Sequence, residues 1–518
     1  MKFLRRAGAV KIDRDAIAAD KELQYATDKV SVNENLARRS DKTRAVHNKT
    51  RLYSWIWKRS VVAMIGVVEL GIEPVLLDDI DVSVPTNHRL NVTTANRREY
   101  PFAVDVMAGG TRVFVVGLVG IILAATLLGG CGDASTSTGS AQLISITIPA
   151  ASGDVDSKWL SYPDPPRANV LLPAGYNPQK RYPLVVFLNG LGLNYNSYAE
   201  YGLTKPFEDQ GAIVVMPEGG NGWYTDWWND GERGGPSWES YELETVLPTI
   251  LARYPILPER RYHALIGISM GGLGATYLGG RLPGFFGSVA ALSGFVDPQW
   301  NAAGTQAAMA IFSQAAENGA TSPYPIYGPP DGFYASGHNP TLLAKNLEFT
   351  RVFVSTGTGV PSTSDPDPGD FPITEEKIIY PMSESYYPAL MAAGVDVTYQ
   401  VHPGAHGIPD FLDEIDAMLE WGLFEPVPAE PPAWENDTVA TSGQLWDFNY
   451  RFAQPPSQIV TFERSGSSLS ISDAGSDVTI TTGSGCAVHT STPATVILPD
   501  SKPISPSEPE RVGTTACS

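Results

Sequence analysis

Between about residues 142 and 401 the chain sets short apolar, β-rich runs at intervals, at 184–188, 212–216, 262–267, 289–292, 351–355 and 397–401. Runs of this length without polar alternation predict strands buried on both faces. In one of the intervals Tyr241, Leu243, Val246, Leu247, Ile250 and Leu251 recur at helical spacing, which predicts an amphipathic helix. Strands alternating with helices give an α/β class, a mostly parallel sheet flanked by helices on both faces. Near Pro426 the pattern changes. A Pro-rich stretch, placed at 427–434, predicts a linker. The short runs 459–462, 469–472, 478–481 and 495–498, spaced by Gly, Ser, Asp and Pro, predict a small β-rich domain over 435–518.

The first 141 residues follow a different pattern. Arg112 precedes sixteen mostly apolar residues, 113–128, and Leu128-Gly129-Gly130-Cys131 closes the run. A positive end, an apolar stretch and small residues before a cysteine resemble a bacterial lipoprotein signal over 107–130, with Cys131 as the lipidated residue. A retained transmembrane helix is the rival, although it normally needs about 20 apolar residues. Residues 131–141 are small and polar and predict a flexible tether. The expected location is extracytoplasmic, lipid-anchored to a bacterial cell membrane or secreted. A signal should stand first, yet 106 residues precede it; the preferred expectation is that translation starts at Met107, against a genuine basic cytoplasmic extension over 1–106. With an exported chain, Cys486 and Cys517 are expected to form one structural disulfide.

Charge narrows the partners. The chain carries −20 overall, but residues 1–106 hold 18 basic and 14 acidic side chains, which leaves −24 on the remainder. So acidic a body excludes nucleic acid as the main partner. A monomer is expected.

Chemistry is concentrated after the run at 262–267, where Gly267-Ile268-Ser269-Met270-Gly271-Gly272 leads into a helix-compatible stretch. Strand, sharp glycine-flanked turn and helix are what a nucleophile elbow needs, so Ser269 is the expected nucleophile. A serine needs a base, and an acid to orient it, later in the chain. The last strand is followed by His402-Pro403-Gly404-Ala405-His406-Gly407. His406, in the loop beyond the strand end, is preferred over His402; His263 reads as a strand histidine and His338 as a loop residue. The oxyanion hole needs two amides, expected from Met270 and from Leu191 in the Asn189-Gly190-Leu191-Gly192 loop. For the acid, ordinary strand-end logic favours the loop bearing Asp365, Asp367 and Asp370. No metal or organic cofactor is implied.

With these residues, and with Trp223-Tyr224-Thr225-Asp226-Trp227-Trp228, Glu244-Thr245, Ser293-Gly294, Asp297-Pro298, Tyr327-Gly328-Pro329 and Asn339-Pro340, the stretch 142–426 resembles the esterase D and antigen 85 mycolyltransferase branch of α/β-hydrolases. The resemblance implies the α/β-hydrolase fold, Leu191 and Met270 as oxyanion donors, and Glu376 as the triad acid. It departs where antigen 85 carries an Asp and an Arg for a sugar, since Asn189 and Gly192 stand there. The expectation is therefore a serine carboxylic-ester hydrolase for an apolar acyl or aromatic group, with Trp223, Asp226 and Trp227 at the substrate and residues 298–342 as a cap. An acyltransferase on envelope lipids or glycans, and a polymer-binding protein with a vestigial site, are the alternatives.

Overall fold

The computed structural model describes residues 139–150, 155, 165–316, 318–499, 504, 506 and 515–516. Cys131, Cys517, the run 113–128 and residues 1–106 lie outside the described residues. Ten strands come first: β1 (Gln142–Thr147), β2 (Arg167–Leu172), β3 (Leu184–Leu188), β4 (Ile213–Pro217), β5 (Asp226–Trp227), β6 (Gly234–Ser237), β7 (His263–Ile268), β8 (Ser288–Leu292), β9 (Arg351–Gly357) and β10 (Asp396–His402). Eight of them form one sheet in the order β1-β2-β4-β3-β7-β8-β9-β10. From β4 to β10 the sheet is parallel, while β1 and β2 run antiparallel at its edge.

The central strands are mostly apolar because successive side chains enter different cores. Leu184, Val186 and Leu188 of β3 join Leu265 of β7 on one face. Val185 and Phe187 join Ala264, Ile266 and Ile268 on the other. The faces are covered by α1 (Leu247–Arg253), α2 (Met270–Arg281), α3 (Ala302–Phe312), α4 (Asp370–Ala393) and α5 (Ile408–Trp421). The helical stripe that starts at Tyr241 forms a π-turn, Tyr241–Val246, before it continues as α1.

Beyond α5 come β11 (Ala433–Thr438), β12 (Ser442–Leu445), β13 (Phe448–Phe452), β14 (Val460–Ser465), β15 (Ser468–Ile471), β16 (Asp477–Thr482), β17 (Cys486–Ser491), β18 (Ala494–Ile497) and β19 (Thr515–Ala516). They make a four-stranded and a five-stranded sheet that share a core of Trp434, Phe448, Phe462, Ile480 and their neighbours. Four of the strands coincide with the predicted runs. The Pro-rich stretch ends earlier than expected, because β11 already pairs with β14 from Ala433.

The β-rich region is bonded to the α/β unit. Arg281, at the end of α2, donates to Glu239 at 2.6 Å, to the Tyr450 hydroxyl at 2.9 Å and to the Ser442 carbonyl at 3.0 Å. Asn436 of β11 donates to the Gly280 carbonyl, and Asn346 exchanges two hydrogen bonds with the Asp437 backbone. Arg260 donates to the Pro428 carbonyl at 2.8 Å and stacks its guanidinium on Trp446.

Candidate active site

Ser269 lies between β7 and α2 with φ 57° and ψ −120°, a conformation that costs a non-glycine residue about 1–3 kcal/mol. The flanking glycines make the turn possible. A Cβ on Gly267 would sit 2.1 Å from the Gly271 carbonyl oxygen, and one on Gly271 would sit 2.2 Å from the Leu188 carbonyl oxygen. The turn is held by the Ser269 amide donating to the Leu292 carbonyl at 3.0 Å, and by the Gly272 and Phe295 amides donating back to the Ser269 carbonyl.

The Met270 amide opens α2, and no residue one turn earlier in that helix can accept from it. Leu191 follows β3 in a loop whose shape is fixed by buried side chains. Asn189 donates to the carbonyls of Gly190, Leu193 and Gly220 and accepts from the Gly219 amide. The Tyr198 hydroxyl receives the Gly190 amide and donates to the Leu188 carbonyl. Asn189 is thus occupied in holding the loop. Glu218 does related work, accepting the Gly220 and Tyr195 amides; burial pushes its pKa up to about 7.

Glu376 and His406 meet. His406 Nδ1 is 2.7 Å from Glu376 Oε2, with the imidazole 6% exposed and the carboxylate fully buried. The other Glu376 oxygen accepts from the Ser293 hydroxyl at 2.8 Å, the Thr356 hydroxyl at 3.0 Å and the Gly357 amide at 2.8 Å. Burial alone would lower the proton affinity of His406. The neighbouring Glu375 charge, and then the hydrogen bond and charge of Glu376, override burial and raise its pKa to about 9. Between His406 and the Ser269 hydroxyl there is no hydrogen bond in this state. Asp365 and Asp367 lie on a partly exposed stretch ahead of α4 and Asp370 is the exposed first residue of that helix, and it is Glu376, further inside α4, that faces the histidine.

Ser269 opens onto a groove lined by Leu191, Trp223, Phe295, Trp300, Met309, Phe312, Ile378 and Ile379. Glu375 is the one ionisable side chain among its described lining residues. One wall is α3, from within the stretch expected to cap the site. Trp223 lines the groove, with its indole N–H donated to Ser313 at 2.8 Å. The expectation of substrate contact for Asp226 and Trp227 is not met. The Asp226 carboxylate accepts the Ser240 amide and hydroxyl and faces a separate polar cleft against the β-rich region. Trp227 is fully buried, with its N–H on the Gly222 carbonyl.

The remaining histidines divide as their positions suggest. His263 is buried on β7 with both ring nitrogens on backbone carbonyls. His338 packs among Tyr277, Tyr327 and Tyr334 beside Glu239. His402, at the end of β10, has a carboxylate of its own: its Nε2 is 2.9 Å from Glu414 Oε1. Glu414 and Ser293 were not among the expected site residues. Ser293 belongs to the Ser293-Gly294 motif already noted but with no role attached, and Glu414 lies in α5, whose sequence reads as ordinary α/β scaffold. Cys486 is disulfide-bonded.

Parallel sheet, serine elbow after a central strand, and a histidine with a buried carboxylate define an α/β-hydrolase. The family model described as "Putative esterase" matches residues 161–421, half of the chain, and the chain belongs to that Esterase family. It is 29% identical over 269 residues to a Mycobacterium tuberculosis protein named Esterase Rv1288, covering 49% of this chain and 56% of the relative. The chain thus spans little more than half of that relative's length. A Mycobacterium leprae protein named diacylglycerol acyltransferase/mycolyltransferase Ag85C is 25% identical over 258 residues, covering 48% of this chain and 72% of the relative. Among solved structures, Mycobacterium tuberculosis MPT51 aligns with a TM-score of 0.42 at 20% identity, over 55% of this chain and 99% of that one.

Proposed function

We propose that the protein is an exported serine carboxylic-ester hydrolase that works through an acyl-enzyme on Ser269. The observation that carries this reading is the buried Glu376–His406 pair at 2.7 Å, in which Glu376 follows the groove-lining Glu375, with Ser269 on that groove. In the reaction Ser269 Oγ attacks the ester carbonyl while His406 Nε2 takes its proton, the contact closing when substrate is bound. Glu376 holds Nδ1–H and stabilises the imidazolium. The Leu191 and Met270 amides receive the oxyanion. His406 then returns the proton to the departing alcohol, and water, activated by the same ring, releases the acid. The groove supports an apolar or aromatic acyl group, and the signal-like sequence 107–130 ahead of Cys131 supports lipid anchoring at the outer face of a membrane.

Hydrolysis is favoured over acyl transfer to a sugar because Asn189 is spent on the loop and Gly192 has no side chain to offer. Hydrolysis of a p-nitrophenyl ester series by the chain from residue 132 tests the reading. Turnover should be lost by a factor of roughly 10³ or more in Ser269→Ala. Wild-type turnover that persists in Ser269→Ala, or acyl transfer to an added alcohol in preference to water, would replace it.

A further inference from the structure

Behind Glu376 stands a second histidine–carboxylate pair that the reaction described above does not use. His402 Nδ1 is 2.9 Å from the Pro403 carbonyl, which can only accept, so that nitrogen carries a hydrogen. Its Nε2 is 2.9 Å from Oε1 of the buried Glu414. The same Glu414 oxygen is 3.0 Å from the Ser293 hydroxyl, which is also 2.8 Å from Glu376 Oε1. Ser293 is fixed at this junction, with φ 42° and its amide donated to the Ser355 carbonyl at 2.8 Å.

A hydroxyl has one hydrogen to give. If both glutamates were bare carboxylates, Ser293 could donate to one and would turn a lone pair towards the other at hydrogen-bond distance. The conflict disappears when Glu414 carries a proton and presents it to Ser293, Ser293 donates to Glu376, and His402 donates to Glu414. Burial pushes the Glu414 pKa up, in the direction this arrangement needs. The ionisable groups around the chain are Glu375 and Glu376 from α4, Asp410 and Glu414 from α5, His402 and His406, and Asp365 beside Asp410.

We propose that His402, Glu414 and Ser293 are positioning residues, a chain of donors ending on Glu376 Oε1 that keeps the triad acid ionised and leaves its other oxygen for His406. The proposal rests on the triad assigned above. In this arrangement Glu414 acts as a neutral donor, so an amide can replace it.

The test compares Glu414→Gln, Glu414→Leu and Ser293→Ala in the full chain. The chain has seven histidines, few enough for His406 to be followed by NMR with labelled imidazoles, independently of turnover. Losing the Ser293 donor makes Glu376 a stronger base, so His406 should titrate at higher pH in Ser293→Ala, and also in Glu414→Leu, where nothing any longer fixes the Ser293 hydrogen on Glu376. Both should lose roughly 10- to 100-fold in kcat with KM little changed. Glu414→Gln should retain the wild-type titration and most of kcat. Should Glu414→Leu fail to fold, Ser293→Ala carries the same comparison. The proposal is overturned if Glu414→Gln lowers the His406 titration, as loss of a real negative charge would, or if Ser293→Ala leaves it unchanged. If His406 titrates as expected but no ester is turned over, the positioning chain stands and the hydrolase reading falls.

Discussion

His406 has to be neutral to accept the serine proton, and its pKa is near 9 because of the Glu375 charge and the Glu376 hydrogen bond. Ester hydrolysis should therefore have an alkaline acid limb, with kcat/KM climbing roughly tenfold or more between pH 7 and 9. Glu375→Gln removes a charge that favours the imidazolium and should move that limb to lower pH; a limb that stays in place would show that Glu375 does not act on the histidine. Ser269 was legible in the sequence because the elbow is local, a strand, two glycines and a helix within a few residues. Glu376 was legible only through family resemblance, since nothing local distinguishes it from Glu375. The difference between them is that one faces the core and the other the groove. Asp226 and Trp227 sit beside Trp223 in sequence, yet the chain turns at Trp223 and Tyr224, both at positive φ, and directs them away from the groove.

At the scale of elements, α3 should decide which acyl groups enter if the proposed reading holds. It lays Gly304, Ala308, Met309 and Phe312 along the groove opposite Ile378 and Ile379 of α4. Ala308→Phe should fill the space between the two helices. Turnover of an octanoyl ester should drop by about tenfold or more relative to an acetyl ester, the size of discrimination a few methylenes provide. An unchanged ratio would mean that the acyl chain runs elsewhere. Five of the six predicted strands were visible as apolar runs because both their faces are buried, whereas β10, at the edge of the sheet, is half-buried to exposed and does not meet the expectation of two buried faces. β11 was not visible, because its inward positions include Asn436 and Thr438 beside Trp434. Asn436 points inward to meet the Gly280 carbonyl, so polar contact with the neighbouring unit hides the alternation that marks a strand.

Across the whole molecule, activity and stability should pull apart with pH. His402 is raised to about 9, burial being outweighed by the hydrogen bonds that its ring makes with Glu414 and the Pro403 carbonyl, and His406 is raised to about 9 as well. Glu218 and Asp226 are raised to about 7 chiefly by burial. In all four the folded state holds its proton more tightly than the unfolded chain. Their contribution is complete below the unfolded pKa and fades as pH rises, from about 4 to 7 for the acids and about 6.5 to 9 for the histidines. Tm should fall between pH 5 and 9 while kcat/KM rises, and a Tm that rises over that window would contradict the assignments. Arg281, paired with the nearly buried Glu239, ties α2 to the β-rich region through Tyr450 and Ser442, and Arg281→Met should cost about 3–5 kcal/mol in denaturant unfolding by leaving Glu239 short of its partner.

The Pro-rich stretch between α5 and β11 resembles a hinge where an appendage could be shed, but Arg260 holds the Pro428 carbonyl and stacks on Trp446. A protease that nicks the chain there would cut a seam whose two sides remain fastened by Arg281, Asn346 and Asn436. The nicked enzyme should run as two fragments under denaturing conditions, elute as a single species from a sizing column, and still cleave ester.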